Sequence, residues 1–266
     1  MCDDKIVCII PMAGRGSRAK AIFGNKPKYK MKIGCRSFLE YSMITLSKIE
    51  NAQYIFICQK QELDIEFIEK CCRKHGIEDF KIITLKKLTD GQATTVFNAI
   101  SQSTIRDEKV LIFNVDTYIP NLIVPETLYK FDGWISSFYT DIGDRWSFVK
   151  FNNNQILTSV EEKTKISNFG CTGVYYFSSY NIFKEIYIKY SSDIKKKYGE
   201  TYISPMYKYM ISSGKSVLVT QDENVIFFND MISNGVYYLN ERGIQLEYYP
   251  NICKEMCWEE IEFIEN

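Results

Sequence analysis

The sequence predicts an α/β fold built on a mixed, mostly parallel sheet flanked by helices. Three observations point there. Short, fully apolar runs alternate with segments of helical periodicity through the first half of the chain. A glycine-rich, basic segment directly follows the first of those runs. Beyond Gly133 the pattern changes to strands joined by turns, as antiparallel pairing requires.

Taken in order, residues 6–11 read as a strand. Residues 38–49 read as a helix, with Phe38, Leu39, Met43 and Leu46 at helical spacing. A short buried strand is predicted over 53–59, a helix over 62–74 and a strand over 80–85. Residues 93–101 predict a helix, and VLIFNV at 110–115 a fully buried strand. In the second half WISSFYT, WSFVKF and ILTSVEE read as strands, with an Asn-rich hairpin at 152–154. NFGCTGVYYFSS adds a long strand, followed by helices around 180–190 and 203–212 and the short strands KSVLVTQ and NVIFFND. The terminal KEMCWEEIEFIEN predicts an acidic amphipathic helix. With no repeat, low-complexity stretch or Pro/Ser linker, residues 1–266 are expected to form one domain. Its first half would span about 1–135 and its second about 136–266, with a soft boundary at 136–139.

Lys+Arg and Asp+Glu balance at 33 each, which argues against a general nucleic-acid or membrane-surface binder. No apolar stretch approaches the length of a membrane helix, and the N-terminus lacks a signal peptide's basic start, so a cytoplasmic protein is expected. Nine cysteines at irregular spacing read as reduced, mostly buried thiols. The lone histidine, His75, precedes Gly76 at a helix end, which disfavours catalytic triads and histidine-based metal chemistry.

Against the balanced total, Lys5 to Leu39 holds nine basic residues and no acid. Within it Gly14-Arg15-Gly16-Ser17-Arg18 follows the first strand, so that backbone N–H groups can approach phosphate oxygens while cations neutralise them. A dinucleotide fingerprint would have to open a helix directly, but Gly24 and Pro27 interrupt one. The nearest acid, Glu40, falls inside the next helix rather than at the end of a second strand.

The segment IIPMAGRGSR…KPKYKMKIGCRSFLEYSM resembles the signature of the nucleoside-diphosphate-sugar pyrophosphorylases and related nucleotidyltransferases. Leu88–Thr95 is similar to that family's base-binding element and Asn114-Val115-Asp116 to its strand-end metal aspartate. Glu161-Glu162-Lys163 with SNFGCTGVYYF resembles elements of the glucose-1-phosphate thymidylyltransferase group, and the blocks keep the family's order as far as Asp230. The resemblance implies a Rossmann-like fold of the nucleotide-diphospho-sugar transferase type, its nucleotide-binding half about 1–135 and its acceptor-binding half about 136–266. It implies that the amides of Ala13, Gly14 and Gly16, with Ser17, cradle a triphosphate, that Arg18 meets the pyrophosphate, and that Lys28 bridges the α-phosphate. Gly91 and Gln92 would meet the base, Asp116 and Asp230 would hold Mg²⁺, Glu162 would accept acceptor hydroxyls, and Lys163 would contact the acceptor phosphate. The Thr172-Gly173 turn would line the same pocket. Two departures stand out: Met231-Ile232-Ser233 follows Asp230 in place of the family's usual turn, and Trp146-Ser147 stands where many relatives have Tyr-Gly.

The chemistry suits such a chain. A phosphomonoester has a second pKa near 6 and is already a nucleophile at neutral pH, so no general base is needed. Attack on an α-phosphorus needs alignment, charge neutralisation and a metal ion. Each badly screened like-charge pair at ~4 Å would cost about 4 kcal/mol at an effective dielectric of 20. The expectation is therefore a Mg²⁺-dependent transferase that moves NMP from an NTP to a phosphorylated small-molecule acceptor, first a sugar 1-phosphate, and releases pyrophosphate. A CTP-dependent cytidylyltransferase acting on phosphocholine or another small phosphorylated compound is the alternative, and a catalytically weak nucleotide-binding regulatory relative belongs to another class. Neither nucleic acid nor membrane is expected as a partner. The sequence leaves base, acceptor and homo-oligomerisation open.

Overall fold

The computed structural model describes residues 5–14, 26–33, 36–141 and 143–228. Strand β1 (Ile6–Pro11) sends Cys8 and Ile10 to one core cluster and Val7 and Ile9 to the other, the alternation of a strand covered on both faces. A small antiparallel pair, β2 (Lys32–Ile33) with β3 (Arg36–Ser37), leads into helix α1 (Phe38–Leu46). A capping box starts that helix. The Ser37 hydroxyl accepts from the Glu40 N–H, and Glu40 Oε2 accepts from the Ser37 N–H at 2.8 Å. Glu40 is thus a buried helix cap, bonded through its other oxygen to Lys74 at 2.7 Å.

Next come β4 (Ala52–Gln59), α2 (Ile65–Lys74), β5 (Phe80–Leu85), α3 (Gln92–Ile100) and β6 (Lys109–Phe113). The four longer strands run parallel in the order β6-β1-β4-β5. From β1 the chain builds outward through β4 and β5, then crosses to place β6 on the other flank. The crevice outside the carboxyl ends of β1 and β6 is therefore the topological switch point, where sheets of this kind hold ligands.

The second half adds β7 (Thr117–Tyr118), β8 (Gly133–Tyr139), β9 (Ser147–Phe151), β10 (Leu157–Glu162) and β11 (Phe169–Phe177). Helices α4 (Tyr180–Tyr198) and α5 (Met206–Ser212) follow, then β12 (Val217–Gln221) and β13 (Ile226–Phe227). Strand β13 pairs with β7 outside the main sheet. The nine-stranded sheet forks at β11. One edge of β11 pairs with β8 over Phe169 to Cys171 and again over Tyr175 to Phe177. The other takes β9 at Gly170 and β6 from Val174 to Phe177. Between these partners the β8–β11 register shifts, over the Thr172-Gly173 segment.

Several boundaries differ from the sequence reading. Asp64 caps α2 by accepting from the Phe67 N–H at 3.0 Å, so the helix begins at Ile65 and residues 60–62 form a separate 3-10 turn. Helix α4 runs on to Tyr198 and stops at Gly199, whose φ of 83° supplies a left-handed cap. Residues 203–205 precede α5 rather than belonging to it. The terminal acidic segment lies outside the described residues.

Candidate active site

The fork creates the site. Strands β6 and β9 both use one edge of β11 and diverge where neither pairs with it, and a cavity of about 560 Å³ opens there. Gln92, Asn114 and Asp116 line one side, Trp146, Ser147, Glu162 and Lys163 the other, and Tyr202 and Ser204 lie across them. The cavity thus joins the switch point of the parallel half to the end of the β9–β10 ladder.

On the parallel side, Lys28 Nζ donates to Asp116 Oδ2 at 2.6 Å, with both side chains about one-fifth exposed (21% and 18%). Lys28 opens a 3-10 turn after Pro27, and its neighbours fix that turn. The buried Tyr29 hydroxyl donates to the Glu62 carbonyl at 2.7 Å, and Lys30 pairs with Asp64 at 2.5 Å. Lys30 is therefore an anchor, not a loosely solvated loop charge. Ala13 is buried, its carbonyl accepting from Gln59 at 2.7 Å, while Gly14 is exposed. Gly16, Ser17, Arg18 and Asp230 lie outside the described residues.

Gly91 stands at the N-terminus of α3 with φ 156°, and a Cβ there would collide with the Thr201 backbone. The next residue, Gln92, donates from Nε2 to Asn114 Oδ1 at 2.6 Å. Gly173, at φ 100°, lets β11 pass so close to Asn114 that a Cβ would lie 2.6 Å from its amide nitrogen. Gly91 and Gly173 therefore shape the site from behind the Gln92–Asn114 pair. The Thr172 hydroxyl, on the cavity wall, turns away to donate to Ser136 Oγ at 2.8 Å, and Ser136 donates on to the buried Asp222 at 2.6 Å.

On the ladder side the two adjacent glutamates separate as strand residues must. Glu161 faces α4 and α5, where it accepts from Lys197 at 2.7 Å, Tyr198 at 2.6 Å and Lys208 at 2.9 Å. Burial opposes its ionisation, but these donors outweigh burial and bring its carboxyl down to about 2. Glu162 is 6% exposed and faces the cavity, where its Oε2 accepts from Ser147 and from Ser204, the latter at 2.9 Å. Burial raises its carboxyl above the usual range in spite of those two donors. Lys163, at φ 52°, donates from Nζ to the Tyr202 hydroxyl at 2.6 Å, a bond that holds its ammonium above the ordinary lysine range.

Among the described residues no three His, Cys, Asp or Glu side chains cluster as a metal cage. Of the described residues, Asp116 is the carboxylate at the switch point, and a single strand-end carboxylate fits Mg²⁺, an ion commonly held by one or two carboxylates plus substrate phosphates. Ser147, Ser204, Tyr202 and Arg145 were not singled out in the sequence for roles. Only the Trp146-Ser147 substitution signalled that corner, because Ser204 and Tyr202 reach it from a distant loop.

The architecture is that of the nucleotide-diphospho-sugar transferases. No protein-family model and no curated protein matches the chain. Solved structures do. The nucleoside-diphosphate-sugar pyrophosphorylase of Vibrio cholerae RC9 is 27% identical, with a TM-score of 0.76 over 86% of this chain and 99% of its own. The CTP:phosphocholine cytidylyltransferase of Streptococcus pneumoniae is 16% identical and shares the fold, at a TM-score of 0.63 over 84% of this chain and 93% of its own. So does the UDP-glucose pyrophosphorylase complexed with UDP-glucose, 15% identical, at 0.67 over 89% and 99%. The resemblance carried by the motifs is thus also one of structure over most of the chain. No described helix is long and apolar enough to cross a membrane.

Proposed function

We propose that this chain transfers a nucleoside monophosphate from an NTP to a phosphorylated acceptor, most simply a sugar 1-phosphate, releasing pyrophosphate. One observation carries the reading: a single cavity runs from the strand-end Asp116, which Lys28 pairs, to the buried Glu162 beside Lys163. The first pair suits the α-phosphate. The second offers a carboxylate to hydroxyls and an ammonium to a phosphate. Ala13 and Gly14, at the carboxyl end of β1, supply backbone for the triphosphate, as would Gly16 and Ser17, with Arg18 on the leaving group. Gln92, held by Asn114, meets the base beside Gly91.

Lys28 holds positive charge where the transferring phosphoryl group develops negative charge. Asp116, with Asp230 as the second carboxylate, would hold Mg²⁺, which when bound neutralises phosphate oxygens as a Lewis acid. Glu162, its Oε2 occupied by two serines, keeps Oε1 for acceptor hydroxyls, and the Thr172-Gly173 segment backs the same pocket.

The aromatic lining favours a second reading, CTP-dependent transfer to phosphocholine, since rings attract quaternary ammonium groups. Yet Trp146 already carries the chain's own Arg145, 4.6 Å from its ring centroid, and the Tyr202 hydroxyl is taken by the Lys163 ammonium at 2.6 Å. That occupancy favours an anionic, hydroxyl-bearing acceptor. A pyrophosphate-release assay with Mg²⁺ and four NTPs against a panel of phosphorylated acceptors decides. Turnover with a sugar 1-phosphate supports the first reading, and turnover confined to phosphocholine replaces it with the second. Nucleotide binding without release from any pair would point to a regulatory protein.

A further inference from the structure

We propose that Arg145 forms, with Lys163, a two-cation clamp on the acceptor's phosphate; the inference rests on the nucleotidyl-transfer reading. The backbone brings the two together. Ser147 pairs with Glu162 at the last rung of β9–β10, and the Lys163 N–H donates to the Trp146 carbonyl at 3.0 Å just beyond it. Arg145 and Lys163 therefore leave the same end of the ladder, and both line the cavity.

Each head group is held by an aromatic residue, Arg145 on the Trp146 ring and Lys163 by the Tyr202 hydroxyl. The Arg145 guanidinium lies 4.6 Å from the Trp146 ring centroid, and the Tyr202 hydroxyl accepts from Lys163 Nζ at 2.6 Å. The Trp146 plate is itself fixed, edge-on to Phe138 at 5.3 Å and against Phe227 at 6.0 Å. Gly143, with φ 74°, lets the loop turn so tightly that a Cβ there would lie 3.3 Å from the indole. Head groups ordered before binding lose less entropy when a ligand arrives.

Charge balance calls for the second cation. A phosphomonoester carries close to two negative charges at neutral pH, and this wall of the cavity also presents Asp144, Glu162 and Glu200. One ammonium beside three carboxylates would leave the dianion repelled. A planar guanidinium adds charge and a two-pronged grip on phosphate oxygens that lysine cannot reproduce.

The test uses the full-length chain with the acceptor that supports turnover, comparing wild type, Arg145→Met and Arg145→Lys. Arg145→Met should raise the acceptor KM about tenfold or more, the loss of one charge-assisted bond. It should weaken competitive inhibition by inorganic phosphate by a similar factor, with the NTP KM within about twofold and Tm unchanged. Arg145→Lys should recover part of the loss, and added guanidinium should partly restore Arg145→Met. Unchanged acceptor KM and phosphate inhibition in Arg145→Met would overturn the clamp. So would equal rises in both KM values with a lowered Tm, the mark of a structural role. If wild type turns over no pair, the nucleotidyl-transfer reading fails, while calorimetric titration with inorganic phosphate still decides the clamp. Binding weakened about tenfold in Arg145→Met sustains it, and no binding to wild type, or equal binding to both, removes it.

Discussion

Lys28 and Asp116, 88 positions apart in sequence, meet at 2.6 Å where β1 and β6 end. The pairing keeps a largely buried carboxylate and ammonium compensated and holds the ammonium against the carboxylate that lines the cavity. Neither side chain is exposed enough to be a mere surface pair, yet neither is sealed from a ligand.

Removing either partner should therefore cost catalysis far more than stability. Lys28→Ala and Asp116→Ala are each expected to lower kcat by about 10²–10³-fold, the scale of losing a preorganised charge at a developing one. A partly exposed ion pair contributes about 1 kcal/mol or less, so Tm should fall by only a few degrees. Steady-state pyrophosphate release and thermal melts on the same preparations separate the two effects. Near-normal turnover in either variant removes that residue from the mechanism.

Gly91→Ala acts from behind the site. Its Cβ would strike the Thr201 backbone, which has no flexible tip to move aside, and φ 156° is unfavourable for any side chain. The Thr201 carbonyl also accepts from the Ala93 N–H at 2.9 Å, so displacement there loosens the start of α3. The expected cost is about 1–3 kcal/mol by urea titration, with a raised NTP KM because Gln92 moves with the turn. Unchanged stability would show that residues 91 and 201 separate freely.

How much of this was legible in the sequence varies with the physics of each part. The parallel strands were, because strands buried on both faces leave uninterrupted apolar runs such as Val110 to Phe113. The last two turns of α4 were not. Of residues 191–198 only Ile194 is buried, so no apolar stripe announces helix there, and Gly199 with three lysines in the last turn ends it. Asp64 shortened α2 because a cap outcompetes helical periodicity at its own N-terminus. Within the site, Glu162 was visible as part of a local motif, whereas its donors were not. Ser147 and Ser204 lie 57 positions apart and converge only through tertiary packing. The same holds for Arg145 on Trp146 and for Lys163 at the Tyr202 hydroxyl, whose partners are chosen by loop geometry.

Ser204→Ala takes one of the two donors from Glu162. A buried carboxylate that loses a hydrogen bond to its charged form is protonated more easily, so its pKa rises further above the usual range. If the ionised carboxylate receives acceptor hydroxyls, the acid limb of the kcat/KM profile for the acceptor should move to higher pH. The NTP limb should stay in place. The stability loss should be about 1–2 kcal/mol. Coincident acid limbs in wild type and variant would exclude Glu162 as the titrating group.

Glu161 gives the opposite sign. Its folded carboxyl sits at about 2, below the ordinary glutamate range, because Lys197, Tyr198 and Lys208 together outweigh burial. A depressed folded pKa means that the stabilisation is fully present above the unfolded value of about 4.3 and is lost as pH falls toward 2. Glu161→Gln should therefore destabilise the protein by about 1 kcal/mol at pH 7, where the three donors lose their charged acceptor. The gap between wild type and variant should close progressively below about pH 4. Because Glu161 joins β10 to α4 and α5 rather than facing the cavity, the acceptor KM should change by less than about twofold. Urea midpoints for both proteins from pH 7 to pH 3 supply the comparison, and a gap that stays constant over that range would mean that the carboxylate's charge does not hold the two helices to the strand.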